Sequence, residues 1–321
     1  MKRIILKLLI TVLFIATPPT VLAQGPDKPE AGLSGNLQGG AYILQTDSRF
    51  YSDDTNRHVD DIDKPADTHE EIAGLASIYL HYQFEGGTAV YVGNPMEPGE
   101  DFVLSAGVSQ PMGKSTLDVA AAWLPSNEVW KNPYQVVNAR VKTDADVYGL
   151  HVQLQEVAGS PWEIRYNIDR IDIEDDEIGD LEDDLKRSGL THELGAKYTL
   201  SLQKGLSFSP EISTTYGDID GRSNAYHEIK IGAQLKCIRP PWVFIGLVSG
   251  FHRQYQKTHP LFGKTLHEST IFTYAQAMRL NLFGMENLFA SLGAGYATSD
   301  ANLDFFDSQT VLGLASVGIN F

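Results

Sequence analysis

The chain has 321 residues, 42% of them hydrophobic, and its 41 acidic side chains against 25 basic ones give a formal net charge of −16. That balance excludes nucleic acid as a partner, since a phosphate backbone is gripped by a basic surface. A single cysteine, Cys237, excludes an internal disulfide framework and reads as a packing or lipid-facing residue.

The first residues read as a secretory signal peptide over 1–23. Lys2, Arg3 and Lys7 precede an apolar run over 8–16, and Val21 and Ala23 stand where a signal peptidase reads before Gln24. A membrane anchor would need roughly 20 apolar residues, and Pro18 and Pro19 interrupt this run. Removing the three leading cations takes the mature chain to roughly −19. No later stretch reaches the ~18 apolar residues of a spanning helix. Residues 24–321 are therefore either soluble outside the cytoplasm or cross a membrane as strands. A mean hydropathy near neutral fits strands whose outer residues are apolar and inner ones polar.

From Gly32 onwards one unit repeats: about ten alternating residues, a short turn, about ten more, then a longer polar loop. The first strand is expected over 33–44. Next comes a strand with Ile78, Leu80, Tyr82 and Phe84, turning at Glu85-Gly86-Gly87 into a short one with Val90 and Val92. Residues 102–110 turn near Gly113-Lys114 into Leu117, Val119, Ala121 and Trp123. Tyr148, Leu150, Val152 and Leu154 turn at Ala158-Gly159-Ser160 into Trp162, Ile164, Tyr166 and Ile168. The clearest hairpin joins 191–202 to 206–216 through Gln203-Lys204-Gly205, with a bulge expected at Pro210, which cannot donate to a ladder. Ile229, Ile231, Ala233 and Leu235 turn at Arg239-Pro240-Pro241 into 242–251. Residues 272–282 turn at 284–287 into Leu288, Ala290, Leu292, Ala294 and Tyr296, and a last strand covers 309–321.

The total is about fourteen strands, with 12 or 16 as alternatives, in an all-β, antiparallel up-and-down transmembrane barrel. An even number returns both ends to the periplasmic side. Short turns gather there, while the longer segments 46–72, 125–144 and 174–189 fall on the other side; 137–145 reads as either strand or loop. Trp123, Trp162, Trp242, Tyr82, Phe84, Phe283, Tyr216 and Tyr296 fall near strand ends, where headgroup-level girdles are expected. The terminal Phe321 on an alternating strand resembles the signal read by the barrel-assembly machinery.

Two connecting segments are strongly acidic. The first includes Asp53, Asp54, Asp60 and Asp61, and the second Asp175, Asp176, Asp183 and Asp184. Such carboxylates suit hard cations, yet neither segment has a calcium-loop pattern, so a solvated, flexible loop face is the favoured reading. Inward-facing positions are the better candidates for function: Glu163, Arg165, Asp169, Glu193, Lys197, Glu211, Glu228, Lys230, Lys236 and Arg279. Charges of both signs there would line a water-filled pore, or would neutralise one another in a closed barrel. Eight strands are filled by side chains, whereas fourteen leave more room.

No nucleophile elbow, zinc-protease helix, P-loop or Cys-x-x-Cys occurs, and no cofactor is expected. His81, His151 and His192 fall in or beside strands, and His58, His69 and His259 in loops; an outer-rim hydrolase would need such a His beside an Asp.

Pro29-Glu30-Ala31-Gly32-Leu33-Ser34-Gly35, Trp130-Lys131-Asn132-Pro133-Tyr134, 259–265 and 302–307 resemble an uncharacterised outer-membrane protein family, the domain of unknown function numbered 2860. The resemblance spans the mature chain. It implies an outer-membrane location and a single porin-type barrel, and it carries no ligand or catalytic residue. The leading expectation is a non-enzymatic channel passing small hydrophilic solutes, embedded in outer-membrane lipid and lipopolysaccharide. A closed barrel acting through its acidic loops as a surface-binding or membrane-stabilising protein comes second, and a rim hydrolase third.

Overall fold

The computed structural model describes residues 31–62, 66–94 and 103–321; the expected signal peptide and Phe102 lie outside them. The described residues form fifteen β-segments. They are β1 (Gly32–Thr46), β2 (His69–Gln83), β3 (Ala89–Gly93), β4 (Leu104–Met112), β5 (Ser115–Trp130), β6 (Lys142–Gln155), β7 (Trp162–Ile173), β8 (Gly189–Tyr198) and β9 (Leu200–Gln203). There follow β10 (Leu206–Ile219), β11 (Tyr226–Arg239), β12 (Trp242–Thr258), β13 (Thr265–Arg279), β14 (Leu288–Ala301) and β15 (Ser308–Asn320). Sequence neighbours pair antiparallel, and β1 also pairs with β15, which closes the sheet. β8 and β9 are successive parts of one strand interrupted at Thr199, so the barrel has fourteen strands.

That interruption is the mark of Pro210. The partners Glu211 with Lys197 and Phe208 with Leu200 keep one register across it, placing Ser209 opposite the break at Thr199 and Pro210 opposite Tyr198, the last residue of β8. The expected bulge at Pro210 is absent: its ladder to β11 runs straight through the Pro210–Ala233 pair, and the register shift falls at Leu206/Ser207 beside the turn. The missing donor points towards β8/β9 and costs that ladder its continuity. A bulge does occur in β5, where the register to β6 shifts between Leu124 and Asn127 around Pro125. β5 therefore continues past Trp123 to Trp130, and the connection expected over 125–144 shortens to 131–141. β13 ends at Arg279, with Leu282–Gly284 forming a 3-10 turn where strand was expected to continue.

Outward positions along the strands are mostly apolar and exposed, among them Leu37, Ile43, Ile78, Val108, Leu150, Ile164, Ile212, Ile231, Val248, Ile271, Leu292 and Val317. A continuous apolar belt of this size is stable only in lipid. Trp162 and Tyr198, Tyr82 and Phe84, and Trp242 and Phe244 form ring pairs at the periplasmic ends of their strands. Cys237 lies on the outward face of β11, half-buried. The barrel seam is sealed beyond the paired strands, where Gly35 N donates to Phe321 O at 2.9 Å and Phe321 N to Gly35 O at 3.0 Å. A Cβ on Gly35 would stand 2.4 Å from the Tyr79 carbonyl oxygen and 3.0 Å from the Phe321 ring, so glycine admits both the β2 backbone and the terminal aromatic at the seam.

Candidate functional site

The strands point a chain of charges inward. On β7 and β8, the Arg165 guanidinium binds Glu193 through Nε at 3.1 Å and Nη2 at 2.9 Å, and reaches Glu211 on β10 at 3.7 Å. Lys230 on β11 approaches Glu211 at 3.5 Å, Lys197 pairs with Glu163 at 2.9 Å, and His151 with Asp169 at 2.8 Å. Two further members lie beyond the expected strand ends: Arg253 on β12 binds Glu228 at 2.7 Å and Glu268 on β13 at 3.1 Å. Their inward parity on β12 and β13 was the signal that could have found them, but the expected β12 stopped at 251 and the expected β13 began at 272. Asp118 on β5 completes the inner-wall carboxylates, accepting from the Tyr91 hydroxyl at 2.5 Å. Every one of these pairs joins strands one or two positions apart, so the chain of charge follows the wall.

Nine of the ten inward candidates share this face, Lys236 being half-buried towards the periplasmic end. Arg279 does not. It is exposed, shares outward parity with Ala275 and Ala277, and its guanidinium lies 5.7 Å from the Trp242 ring on the outer surface. The strand ends at that residue, where a long cationic side chain reaches the headgroup level over an aromatic anchor.

Large inward side chains lie along the wall because glycines on neighbouring strands leave room for them. A Cβ on Gly293 would come within 2.2 Å of the Tyr274 hydroxyl, one on Gly107 within 2.4 Å of the Tyr91 ring, and one on Gly318 within 2.3 Å of Phe289. Gly195 does the same for Arg165, at 2.8 Å. For these four side chains part of the burial is therefore lateral: ring or guanidinium rests on the bare backbone of a neighbouring strand.

Above the strands, the connections do not form the solvated, flexible face expected of them. Five converge on one apolar cluster: Phe50 and Ile62 from 47–68, Tyr134 from 131–141, Ile178 and Leu185 from 174–188, Phe262 from 259–264, and Phe305 and Phe306 from 302–307. Tyr134 stacks edge-on to Phe50 and contacts Phe305 with ring centroids 5.1 Å apart. The His259 ring accepts or donates a 3.0 Å hydrogen bond at the Tyr134 hydroxyl, and burial pushes its imidazole down to about 4. Arg140, 1% exposed, fastens two of these loops by donating to Arg49 O at 2.7 Å, Pro133 O at 3.1 Å and Asn56 O, with its guanidinium 4.4 Å from the Trp130 ring. Burial beside Arg49 lowers the Arg140 pKa. Arg187 similarly binds Trp130 O, Lys131 O and Asp176.

The acidic residues of these loops are largely paired with cations or backbone. Asp54 meets Lys142, Asp175 Lys131, Asp176 Arg187, Asp183 Lys186 and Asp184 Lys257. Asp53 caps a 3-10 turn by accepting from Thr55 N at 2.9 Å, the carbonyl of Asp61 accepts from Arg49, and Asp60 is exposed. Among the described residues, no three His, Cys, Asp or Glu side chains gather as a metal would require. The first of these loops also reaches the inner wall at Tyr51. Its Tyr51 packs on Tyr42 and Leu44 and donates to Glu71, which accepts from Tyr42 at 3.2 Å as well.

A closed, lipid-facing barrel with these loops and this seam matches one family model over residues 32–321, described as protein of unknown function DUF2860. The chain belongs to that family. No curated protein matches it by sequence. Among solved structures it is similar to the Pseudomonas aeruginosa protein OpdQ, at 10% identity and a TM-score of 0.40 over 90% of this chain and 97% of that one. Vibrio cholerae OmpT, an outer membrane protein, gives 7%, 0.42, 91% and 97%. A Pseudomonas aeruginosa FadL homologue gives 10%, 0.43, 90% and 90%.

Proposed function

We propose that this outer-membrane barrel is a channel for passive diffusion of small hydrophilic solutes, and that the loop cluster closes its extracellular mouth. The observation that carries the reading is the inner wall: its ion pairs and rings run around the barrel, strand to neighbouring strand, which keeps side chains along the wall of a lumen wider than an eight-stranded one. Opening then requires only the separation of loops, leaving the strands untouched. β15, ending at Phe321, is the element offered to the assembly machinery. Conductance of the refolded mature chain in planar bilayers tests the channel, and zero open-channel current at every voltage and pH refutes it.

The packing of five loops into one cluster favours a second reading, a shut barrel whose folded extracellular surface binds or stabilises at the membrane. It predicts no current even after the loop cluster is disrupted by mutation. Of the three histidines expected in loops, His259 is buried against Tyr134, Phe262 and Phe306, His69 is instead the first residue of β2 and hydrogen-bonds Thr55 at 2.9 Å, and His58 is exposed; among the described residues none of the three is placed for a rim hydrolase by a paired carboxylate of its own.

A further inference from the structure

Around a ring of fourteen strands, partners seven positions apart face one another: β8 faces β1, β7 faces β15 and β10 faces β2. The charged wall is centred on β7 to β11. The opposite wall, below the loop ends of β1 and β15, is apolar. Leu312, Leu44 and Tyr274 belong to one cross-strand row, and Leu314 and Tyr42 to the next, with Leu75 below them. Water gains nothing from such a surface, and roughly 25 cal/mol per Å² favours covering it with something apolar. The described structure shows what covers it: the Tyr51 ring lies on Tyr42 and Leu44 while its hydroxyl donates to the Glu71 carboxylate.

Resting on the channel reading, we propose that Tyr51 occupies a solute subsite, and that the subsite takes a small amphipathic cation: an aromatic ring carrying an ammonium group. The ring takes the place of the Tyr51 ring on Tyr42 and Leu44. The ammonium donates to Glu71 as the phenol does, with the gain that the hydrogen bond becomes charge-assisted on both sides. The facing wall favours the same sign, since the inner-wall carboxylates named above outnumber the lysines and arginines among them. A matched anion meets Glu71 and that wall with like charge.

The test is block of the K⁺ current through the refolded mature chain by phenethylammonium. Ethylammonium keeps the head without the ring, and phenylacetate keeps the ring with the opposite charge. We expect phenethylammonium to half-block at a concentration about tenfold lower than either control, the effect of one desolvated ring or one charge pair. Glu71→Gln should raise its half-blocking concentration about tenfold. Tyr51→Ala, which removes the resident competitor, should lower it severalfold, a change that a merely structural Tyr51 would not produce. Equal block by all three compounds, or no gain in affinity in Tyr51→Ala, overturns the subsite while the channel stands. Absence of any K⁺ current overturns both.

Discussion

Arg140 is the point at which the loop closure can be tested most directly. Arg140→Met keeps much of the side-chain length and removes the charge, leaving the carbonyls of Arg49, Pro133 and Asn56 without their donor inside the closed cluster. Hydrogen bonds from a charged donor each contribute about 1.5–3 kcal/mol, and stacking on a desolvated Trp130 adds up to about 2. In an open arrangement the same carbonyls bind water, so the loss falls on the closed state alone. The total is about 4.5–11 kcal/mol, so even if half is recovered by relaxation, about 2–5.5 kcal/mol shifts the closed-to-open ratio by roughly two to four powers of ten. Single-channel recording should show the variant open for most of the trace where the parent opens in rare bursts. Protease added to intact proteoliposomes should cut between 47 and 68 faster in the variant. Identical open fractions together with identical cleavage rates would refute the assignment of Arg140 as a latch.

Acidification should open the same closure. The imidazole of His259 is held down to about 4 by burial, against 6.5 in water, and faces the Tyr134 hydroxyl and the Phe262 and Phe306 rings. The open state therefore binds the proton first: closure has its full stability above pH 6.5 and loses it progressively down to pH 4, by about 3 kcal/mol in all. Open fraction recorded across that window should rise in the parent and stay flat in His259→Gln; a pH-independent parent would count against a buried His259. On the inner wall, Lys236→Glu should make the pore more cation-selective because the residue is half-buried there, and an unmoved reversal potential in a KCl gradient would remove it from the lumen. Arg165→Glu is a different experiment. It sets a third carboxylate beside Glu193 and Glu211 at a side chain 1% exposed, so the expected result is a barrel destabilised by about 3–5 kcal/mol, read as a lower temperature for the heat-modifiable gel shift. Gly293→Ala should push Tyr274 off the wall, costing about 1–3 kcal/mol and lowering conductance; unchanged conductance and stability would show that the ring has another place to lie.

What the sequence determined by itself is what depends on near neighbours along the chain. Alternation fixes which face of a strand meets lipid, and hairpin turns such as Gln203-Lys204-Gly205 fix which strands pair, so barrel, strand number and nine of ten inward charges were legible. Arg279 shows where that reading fails, because parity says nothing about whether a strand has already reached the headgroups. Strand length decided the missing members too: Arg253 and Glu268 lie beyond the strand ends that hydrophobic alternation alone suggested. Only the tertiary structure decided the fate of the loops. An acidic run looks solvated when read alone, and nothing within 174–189 reveals that Lys131 and Lys257, each more than forty residues away in the chain, pair with Asp175 and Asp184. The closure likewise joins Phe50, Tyr134, Leu185, Phe262 and Phe305, one or two apolar residues from each of five loops. No single loop carries enough of them to show a pattern, and they become a core only when the closed barrel brings all five loops over one mouth.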